Sequence, residues 1–269
     1  MPKVRLDVLL VEKGLADSRA KAQALIMAGQ VRVAGQVALK PAVAIQADAT
    51  VTVDSGPRYV SRGGEKLAGA LNTFEIDVKD FVCVDVGSST GGFTDCLLQH
   101  GAKKVYAIDV GNGILHWKLR TDSRVVVMEE TNARFVESIP EKIDFVTVDA
   151  SFISLKTLLP VIKKWEVESG IVALIKPQFE AGRRDVSKGD GVIRNPEIHK
   201  QVLVDVLNFA KQEGFGLRGL VKSSLIGPKG NVEFLLWLDL KSNNANVEDL
   251  VDVVMKQEIA SDEKASPAQ

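Results

Sequence analysis

Between residues 84 and 94 the chain reads Val84-Asp85-Val86-Gly87-Ser88-Ser89-Thr90-Gly91-Gly92-Phe93-Thr94. An apolar strand that ends in a glycine-rich turn before a helix lets backbone N–H groups approach a ligand at the helix N-terminus. The glycines lack the spacing of the dinucleotide fingerprint G-x-G-x-x-G, and the lysine of a phosphate-binding P-loop is missing. The turn therefore favours a ligand without a pyrophosphate group.

Acidic residues end the first two strands of this region. Asp85 lies in front of the glycine-rich turn and suits a ligand that bears a cationic amino acid. Asp109 follows 22 residues after Gly87, about where a carboxylate takes ribose hydroxyls in such folds. S-adenosylmethionine is a ligand that has a ribose and an amino acid group but no pyrophosphate, so it fits this pattern. The alternative is that both carboxylates are ordinary residues of strand-end turns.

Apolar, β-rich runs recur along the chain on both sides of this turn. They lie at 81–86, 104–110, 124–128, 143–149, 170–176, 217–225 and 232–240, and most are separated by helix-length segments. Continuous apolar strands are buried on both faces, which is typical of a doubly wound, mostly parallel α/β sheet. The link between the last two strands is too short for a crossover, so they should pair antiparallel. We predict a seven-stranded, mostly parallel, Rossmann-like sheet with an antiparallel last strand.

The rest of the chain predicts a second domain and an extension. Residues 1–53 read as two short helices and small strands, which form a small α+β domain, and residues 54–62 contain turn formers typical of a linker. The sheet domain then covers 63–241. Residues 242–269 are polar and acidic, and we expect the last dozen or so to be frayed.

The composition excludes several classes of protein. With 45% hydrophobic residues and 34 basic against 35 acidic side chains, the chain is neither disordered nor strongly charged. Its 2 cysteines do not make a disulfide scaffold, and no apolar run approaches the roughly 18 residues of a membrane span. The N-terminus does not read as a secretory signal. We therefore expect a cytoplasmic protein with no membrane partner.

The N-terminal domain carries an excess of positive charge. Residues 1–62 hold 9 Lys or Arg against 5 Asp or Glu, whereas residues 242–269 hold 2 against 6. The run Arg19-Ala20-Lys21-Ala22, with Leu25-Ile26, Gly29-Gln30-Val31-Arg32-Val33, Gly35 and Lys40-Pro41 after it, resembles the RNA-binding domain named for ribosomal protein S4. The resemblance implies that an RNA phosphate backbone is faced by Arg19, Lys21, Arg32 and Lys40. The alternative is a packing module with a solvated basic face.

Four further charged residues lie at strand ends, or just before the first strand, of the predicted sheet: Lys66, Asp149, Lys176 and Glu233. A charged residue that closes an apolar strand at its carboxyl edge points into the ligand crevice. Two lysines and two carboxylates can therefore converge there. A buried lysine beside a second cation gives up its proton more readily than an exposed one, so one of the lysines is a candidate general base.

Three segments carry a resemblance that covers nearly the whole chain: Ser151-Phe152-Ile153-Ser154-Leu155, Lys176-Pro177-Gln178-Phe179-Glu180 and Gly227-Pro228-Lys229-Gly230-Asn231-Val232-Glu233. With the residues above, they resemble the TlyA family (also called hemolysin A), rRNA 2′-O-methyltransferases with a domain of the FtsJ type. The resemblance implies a catalytic tetrad of Lys66, Asp149, Lys176 and Glu233. It also implies that S-adenosylmethionine is held by Asp85, Gly87, Ser88, Ser89, Thr90, Gly91, Gly92, Phe93 and Asp109, with Glu129 on the adenine side.

The resemblance further implies methylation of a cytidine ribose in large-subunit rRNA, and in some members in small-subunit rRNA, so ribosomal subunits are the expected partner. Lys176 is then expected to help remove the 2′-hydroxyl proton, with Asp149 orienting Lys176 and Glu233 holding Lys66, although the sequence leaves open which lysine is the base. One departure concerns the loop after Asp109, where many relatives have Gly-Gln-Leu and this chain has Gly113-Ile114-Leu115. A polar contact from that loop is therefore in doubt.

The loop 182–195 is glycine-rich and basic, with Arg183, Arg184, Lys188 and Arg194. It predicts either a flap that contacts RNA or a plain exposed loop. The three histidines, His100, His116 and His199, share no ligand spacing, so no metal site is predicted. The sequence predicts no protein partner and leaves the oligomeric state open.

Three other functions remain as alternatives. The run Gly87-Ser88-Ser89-Thr90-Gly91 matches the G-x-S-x-G elbow of serine hydrolases, with Asp149 and His199 after it, but such an elbow normally follows several strands. His199 also lies in a helical pattern and reads as a surface residue. A non-catalytic RNA-binding or ribosome-assembly protein would have a vestigial cofactor pocket. A membrane-lysing hemolysin would need a spanning segment or a strongly basic amphipathic helix.

Overall fold

The computed structural model describes residues 2–54, 56–181, 191–241 and 245–265, which form two compact units that divide after Arg58. Residues 59–62 of the predicted linker 54–62 belong to the second unit. Tyr59 is only 2% exposed and packs in its core, and the backbone N–H of Val60 donates a hydrogen bond to the Asp95 carboxylate (2.9 Å). The second unit therefore begins at Tyr59.

The first unit contains two helices and five short strands among its described residues. These elements are β1 (Lys3–Arg5), α1 (Leu6–Glu12), α2 (Arg19–Met27), β2 (Val31–Val33), β3 (Gln36–Ala38), β4 (Ala44–Gln46) and β5 (Val51–Val53). The Ser18 hydroxyl accepts a hydrogen bond from the backbone N–H of Lys21 (3.2 Å) and caps α2. The strands form two antiparallel sheets, β3-β2-β5 and β1-β4, and the apolar faces of both helices meet in one small core.

The second unit alternates strands and helices. Its strands are β6 (Val82–Val86), β7 (Lys104–Ile108), β8 (Val125–Met128), β9 (Phe145–Val148), β10 (Gly170–Ile175), β11 (Gly216–Lys222) and β12 (Phe234–Asp239). Its helices, within the described ranges, are α3 (Gly63–Thr73), α4 (Gly92–Gln99), α5 (Trp117–Arg120), α6 (Leu155–Lys163), α7 (Pro177–Glu180), α8 (Pro196–Gln212) and α9 (Val247–Ala265). Each of the seven apolar runs of the sequence corresponds to one strand.

The strands of the second unit form one sheet in the order β11-β12-β10-β9-β6-β7-β8. Neighbours from β10 to β8 are parallel, whereas β12 is antiparallel to both β10 and β11. The predicted mostly parallel sheet with an antiparallel last strand is thus confirmed. The chain adds β7 and β8 on one side of β6 and then β9 and β10 on the other. The resulting switch point, between β6 and β9, opens a crevice at the carboxyl ends of these strands.

The central strands are buried on both faces, because alternate side chains point to opposite layers of helices. Val84 and Val86 belong to a core cluster that includes residues of α6, α8 and α9. Cys83, the residue before Val84, belongs to a second cluster with residues of α3, α4 and α5. The unit is therefore a three-layer sandwich with helices on both sides of the sheet.

The C-terminal segment differs from the polar, frayed extension that the sequence predicted. Helix α9 buries Val247, Val251, Val254 and Met255 in the core. Their spacing places them on one face of a helix. The acidic residues on its other faces dominate the composition of this segment, so composition alone does not reveal the apolar stripe. Of the predicted extension, residues 242–244 and 266–269 lie outside the described part of the chain.

Candidate functional site

The crevice at the switch point collects the four charged residues of the predicted tetrad. Asp149 and Lys176 directly follow β9 and β10, which are parallel neighbours. Glu233 precedes β12, but β12 is antiparallel to β10, so its first residue pairs with the last residue of β10. Lys66, near the start of α3, reaches the same edge and contacts Glu233 across 167 positions of sequence.

The four side chains form two ion pairs. Lys66 Nζ contacts Glu233 Oε2, and the two side chains are 9% and 2% exposed. Lys176 Nζ lies 2.6 Å from Asp149 Oδ1 and also donates hydrogen bonds to Ser151 Oγ (3.0 Å) and to a backbone carbonyl (3.2 Å). The expected pairing of Asp149 with Lys176 and of Glu233 with Lys66 is confirmed. Each lysine has its own carboxylate, so the cluster carries no net charge when all four groups are ionised.

A cavity of about 980 Å³ is lined by all four members of the tetrad. Six residues predicted to hold the cofactor line it as well: Gly87, Ser88, Ser89, Thr90, Gly92 and Phe93. A second cavity of about 500 Å³, lined by Asp109, shares Gly87, Ser89 and Asp149 with the first. Two adjoining cavities of this size can take a nucleoside ligand beside a second substrate.

The glycine-rich turn borders both cavities, because Gly87 and Ser89 line each of them. Gly87 has a φ of +83°, and a Cβ at this position would lie 2.8 Å from the carbonyl oxygen of Asp149, so only glycine fits. The backbone N–H of Ser89 donates to Asp109 Oδ2 (2.8 Å), and that of Gly111 donates to Asp109 Oδ1 (2.8 Å). A carboxylate has further lone pairs, and those of Asp109 can accept ribose hydroxyls at the second cavity.

Four residues after β8 line the second cavity although the sequence analysis gave them no role: Thr131, Asn132, Ala133 and Arg134. The Asn132 side chain accepts the backbone N–H of Arg134 (3.1 Å) and holds this short turn in shape. The Arg134 guanidinium lies 5.2 Å from the centre of the Phe135 ring, which is 74% exposed. The only sequence signal for these residues was their position after the third parallel strand.

Asp85 lines neither cavity, which corrects the expected contact with a cationic ligand group. Its side chain is fully buried behind the glycine-rich turn, where it accepts hydrogen bonds from Thr94 Oγ1 (2.7 Å) and Thr147 Oγ1 (3.1 Å). Burial raises the pKa of Asp85 to about 7, although both threonine hydrogen bonds favour the carboxylate. Asp85 thus joins α4 to β9 from behind the turn.

We expect the Asp85→Asn variant to change how stability depends on pH. Folded Asp85 keeps its proton up to about pH 7, whereas in the unfolded chain it ionises near 3.8, so wild-type stability falls as the pH rises between these values. Relative to the variant, the wild-type free energy of unfolding should fall by roughly 2–3 kcal/mol between about pH 5 and pH 8, at ~1.4 kcal/mol per pH unit. Urea denaturation at both pH values measures this. Parallel pH curves for the two proteins would contradict the assignment.

Glu129 shapes the loop after β7 instead of lining the second cavity, where an adenine contact was expected. Its carboxylate accepts the backbone N–H groups of residues 113–115 (2.9–3.1 Å) and pairs with Arg120 (2.6 Å). The Arg120 guanidinium and these N–H groups lower the pKa of Glu129 to about 2. The side chain of Ile114 lies over Gly111, so this loop presents an aliphatic group at the position where the family resemblance implies glutamine.

The serine-hydrolase interpretation is not supported, because its histidine and aspartate lie apart. Asp149 pairs with a lysine. His199, on α8, is 1% exposed, and its Nδ1 and Nε2 lie 2.7 and 3.0 Å from Glu258 and from the carbonyl oxygen of Ile193. The prediction of a surface histidine is wrong because α9 packs over this face of α8.

Two residues of the large cavity were named only as parts of motifs. Phe152 is 89% exposed, has a φ of +63°, which is strained for a bulky residue, and its ring lies 4.9 Å from that of Phe179. Asn231 is 3% exposed, and its side chain binds the backbone at residues 191 and 193. Both residues lie in segments that carry the family resemblance, and this was the only indication in the sequence that they belong to the site.

Two of the four cations expected to face RNA form ion pairs within the first unit. Arg19 lies 3.3 Å from the buried Asp7, and Arg32 lies 2.7 Å from Asp54. The pairing with Asp7 gives a structural reason for a positive charge at the start of α2, where the helix dipole disfavours it. The other two cations, both lysines, are exposed. RNA contact stays a prediction for all four.

Part of the predicted flap lies outside the described residues, namely 182–190 with Arg183, Arg184 and Lys188. Its described end contains Gly191, which lines the large cavity, and the exposed Arg194.

Within the described ranges, no three His, Cys, Asp or Glu side chains are grouped as ligands for a metal ion. No helix of the described chain is both long and apolar enough to cross a bilayer.

Comparison with known proteins finds two matching family models and full-length relatives. The model described as FtsJ-like methyltransferase matches residues 59–240, and the S4 domain model matches residues 4–51. The Bacillus subtilis protein YqxC is 52% identical over 244 residues, which are 88% of this chain and 85% of YqxC. The 16S/23S rRNA (cytidine-2'-O)-methyltransferase TlyA of Mycobacterium tuberculosis is 45% identical over 258 residues, 94% and 96% of the two chains. A solved structure from Streptococcus thermophilus has a TM-score of 0.71 and 41% identity over 98% of this chain and 99% of its own.

Proposed function

The chain belongs to the TlyA family and combines an S4 domain with an FtsJ-like methyltransferase domain, and we propose that it transfers a methyl group from S-adenosylmethionine to the ribose 2′-hydroxyl of a cytidine in ribosomal RNA. The observation that carries this proposal is the pair of lysines, each with its own carboxylate, in a cavity that adjoins the glycine-rich turn. The M. tuberculosis relative is named as an rRNA (cytidine-2'-O)-methyltransferase, which supports the choice of substrate.

We assign the cofactor to the second cavity and to the turn beside it. Gly87 lets the turn lie against the backbone of Asp149 and Ala150, where a Cβ would collide, and Asp109 can accept hydrogen bonds from ribose hydroxyls. The residues after β8, from Thr131 to Arg134, form the wall against which an adenine ring can lie. When bound, S-adenosylmethionine supplies a sulfonium whose methyl group is open to attack by an oxygen.

Lys176 is our candidate for the group that accepts the 2′-hydroxyl proton, at its Nζ atom. Asp149 Oδ1, Ser151 Oγ and a carbonyl oxygen surround Nζ at 2.6–3.2 Å. Nζ accepts a proton only as the neutral amine, so its ammonium first gives one proton to solvent. These acceptors then hold Nζ in one position and stabilise the ammonium that forms again when the 2′-hydroxyl proton is transferred. Lys66, fixed by Glu233 at the other wall of the cavity, can donate a hydrogen bond that orients the ribose.

RNA contacts are assigned to exposed side chains around the cavity and to the S4 domain. Phe152 presents a bare ring on which the target base can stack, and the exposed Arg62 and Lys229 also line the cavity. A ribosomal substrate implies a cytoplasmic enzyme whose partners are ribosomal subunits. Backbone phosphates are assigned to Arg19, Lys21, Arg32, Lys40 and the flap 182–195.

Methyl transfer to unmodified ribosomal subunits tests the proposal. The subunits are incubated with the protein and methyl-labelled S-adenosylmethionine, and the RNA is then digested with alkali. Because a 2′-O-methyl group blocks alkaline cleavage, we expect the label in a resistant dinucleotide whose sequence identifies the target.

The other outcomes separate the alternatives. Label in mononucleotides would indicate methylation of a base and contradict the proposal. Absence of label, with S-adenosylmethionine still bound, would favour the non-catalytic RNA-binding or ribosome-assembly function. Absence of cofactor binding would overturn the assignment of the second cavity.

A further inference from the structure

A buried ionisable pair joins the C-terminal helix α9 to α8. His199 Nδ1 lies 2.7 Å from Glu258 Oε1, and the two side chains are 1% and 2% exposed. The imidazole ring also packs edge-on against Phe234, with 5.8 Å between ring centres. Well-packed apolar residues would join two helices at least as stably as a buried polar pair does. The pair therefore needs an explanation other than helix packing.

The hydrogen bonds of His199 hold its ring in one orientation. A carbonyl oxygen only accepts, so Nε2 carries a hydrogen and donates it to Ile193 O, at 3.0 Å. One more hydrogen lies between Nδ1 and Glu258 Oε1, whichever of the two atoms holds it. Both ring nitrogens are thus engaged, one by α9 and the other by the backbone just before α8.

The backbone of Ile193 continues this connection into the large cavity. Its N–H donates to Asn231 Oδ1 (3.0 Å), and Asn231 Nδ2 donates to the carbonyl oxygen of Gly191 (3.1 Å). Asn231 and Gly191 both line the cavity that contains the tetrad. A continuous series of hydrogen bonds therefore runs from Glu258 through His199 and Ile193 to a side chain in the cavity wall.

We propose that His199 and Glu258 are positioning residues that hold the backbone at 191–193 against Asn231 and so set the cavity wall on the RNA side. The inference rests on the proposed function, because this wall is the part of the cavity against which the RNA is proposed to bind. Gly191 and Asn231 line the cavity of the tetrad but not the second cavity beside Asp109. Loss of the pair should therefore weaken the use of RNA and leave cofactor binding unchanged.

Two substitutions at Glu258 test the proposal. Glu258→Leu removes the hydrogen-bond partner of His199 Nδ1, whereas Glu258→Gln keeps an N–H that can donate to it. We expect Glu258→Leu to lower kcat/KM for ribosomal RNA about tenfold, because misplaced substrate contacts slow the reaction strongly, with the Kd for S-adenosylmethionine within about twofold of wild type. Glu258→Gln should retain nearly full kcat/KM.

Asp252→Asn is the matched control. Asp252 pairs with Lys200 (2.9 Å) between the same two helices, but these side chains are 51% and 47% exposed. An exposed pair contributes little, so this variant should behave as wild type. Equal losses in Glu258→Leu and Asp252→Asn would mean that the variants only loosen α9, and would overturn the proposal. A parallel loss of cofactor affinity would overturn it too.

Hydrogen exchange at the Ile193 amide is a readout that does not need methyl transfer. Loss of the His199 contact should speed its exchange about tenfold in Glu258→Leu, with wild-type protection in Glu258→Gln and Asp252→Asn. Unchanged protection in Glu258→Leu would overturn the inference even if activity fell. A wild-type protein that does not methylate rRNA would instead overturn the proposed function.

The wild-type protein offers a test that no folding defect can obscure. In an NMR spectrum of ¹⁵N-histidine-labelled protein, His199 should carry a slowly exchanging hydrogen on Nε2. A His199 ring without that hydrogen would break the connection to Ile193 and overturn the proposal.

Discussion

The Lys176→Ala variant should lose methyl transfer by about 10²–10⁴-fold, the usual contribution of a positioned general base, while it still binds S-adenosylmethionine. Lys176 Nζ lies in the cavity wall, and Asp149 and Ser151 fix its position. In the alanine variant, a water molecule in place of Nζ would not be held in the same position. Single-turnover transfer to ribosomal subunits measures the loss, and equilibrium dialysis measures cofactor binding. Near-normal turnover would show that Lys176 is not the base.

Lys176→Arg distinguishes proton transfer from electrostatic orientation. Arginine keeps the positive charge beside Asp149 but stays protonated, so it cannot act as a base. We therefore expect Lys176→Arg to be as inactive as Lys176→Ala. Substantial activity in the arginine variant would assign Lys176 an orienting role instead. Lys142→Ala is the control, because Lys142 is 73% exposed and pairs with Glu168.

Removal of one partner of the Lys66–Glu233 pair should destabilise the methyltransferase domain by about 3–5 kcal/mol. In Glu233→Ala the ammonium of Lys66, which is only 9% exposed, would stay buried without its carboxylate. Urea denaturation gives the change in the free energy of unfolding. Glu168→Ala, which breaks an exposed pair with Lys142, should cost less than about 1 kcal/mol.

The double variant Lys66→Met/Glu233→Met separates stability from catalysis. It replaces both charges with apolar side chains of similar length, so most of the lost stability should return. The double variant should nevertheless be inactive in methyl transfer, because it lacks the Lys66 ammonium that donates a hydrogen bond to the ribose and orients it. An active double variant would exclude this ion pair from the catalytic site. A Glu233→Ala variant as stable as wild type would show that Lys66 finds water or another partner.

The fold could be predicted because its signals are local in sequence. Each apolar run between helix-length segments is long enough to identify one strand, and the glycine-rich turn at Gly87 marks where the first of them ends. The short link before Glu233 required the last two strands to be antiparallel, which the structure confirms. Such features depend on neighbouring residues alone, and so they are readable without knowledge of the packing.

The candidate site was predictable to the extent that strand ends determine it. Asp149 and Lys176 each end a buried parallel strand, and the carboxyl ends of such strands meet at one edge. The role of the residues after β8 could not be predicted, because a polar turn there has no distinctive composition. The role of Phe152 could not be predicted either, because an exposed aromatic ring cannot be told from a buried one in the sequence.

The sequence by itself therefore determined the number and direction of the strands, the glycine-rich turn and the set of charged residues expected at the crevice. Only the tertiary structure decided which of them face a ligand. Asp85 lies one residue before the end of β6 and Asp109 directly follows β7, yet Asp85 is buried behind the turn and Asp109 lines a cavity. His199 is buried because α9 covers it with Glu258, which lies 59 positions further along the chain. Burial and long-range pairing depend on how distant elements pack, and no local pattern of residues contains that information.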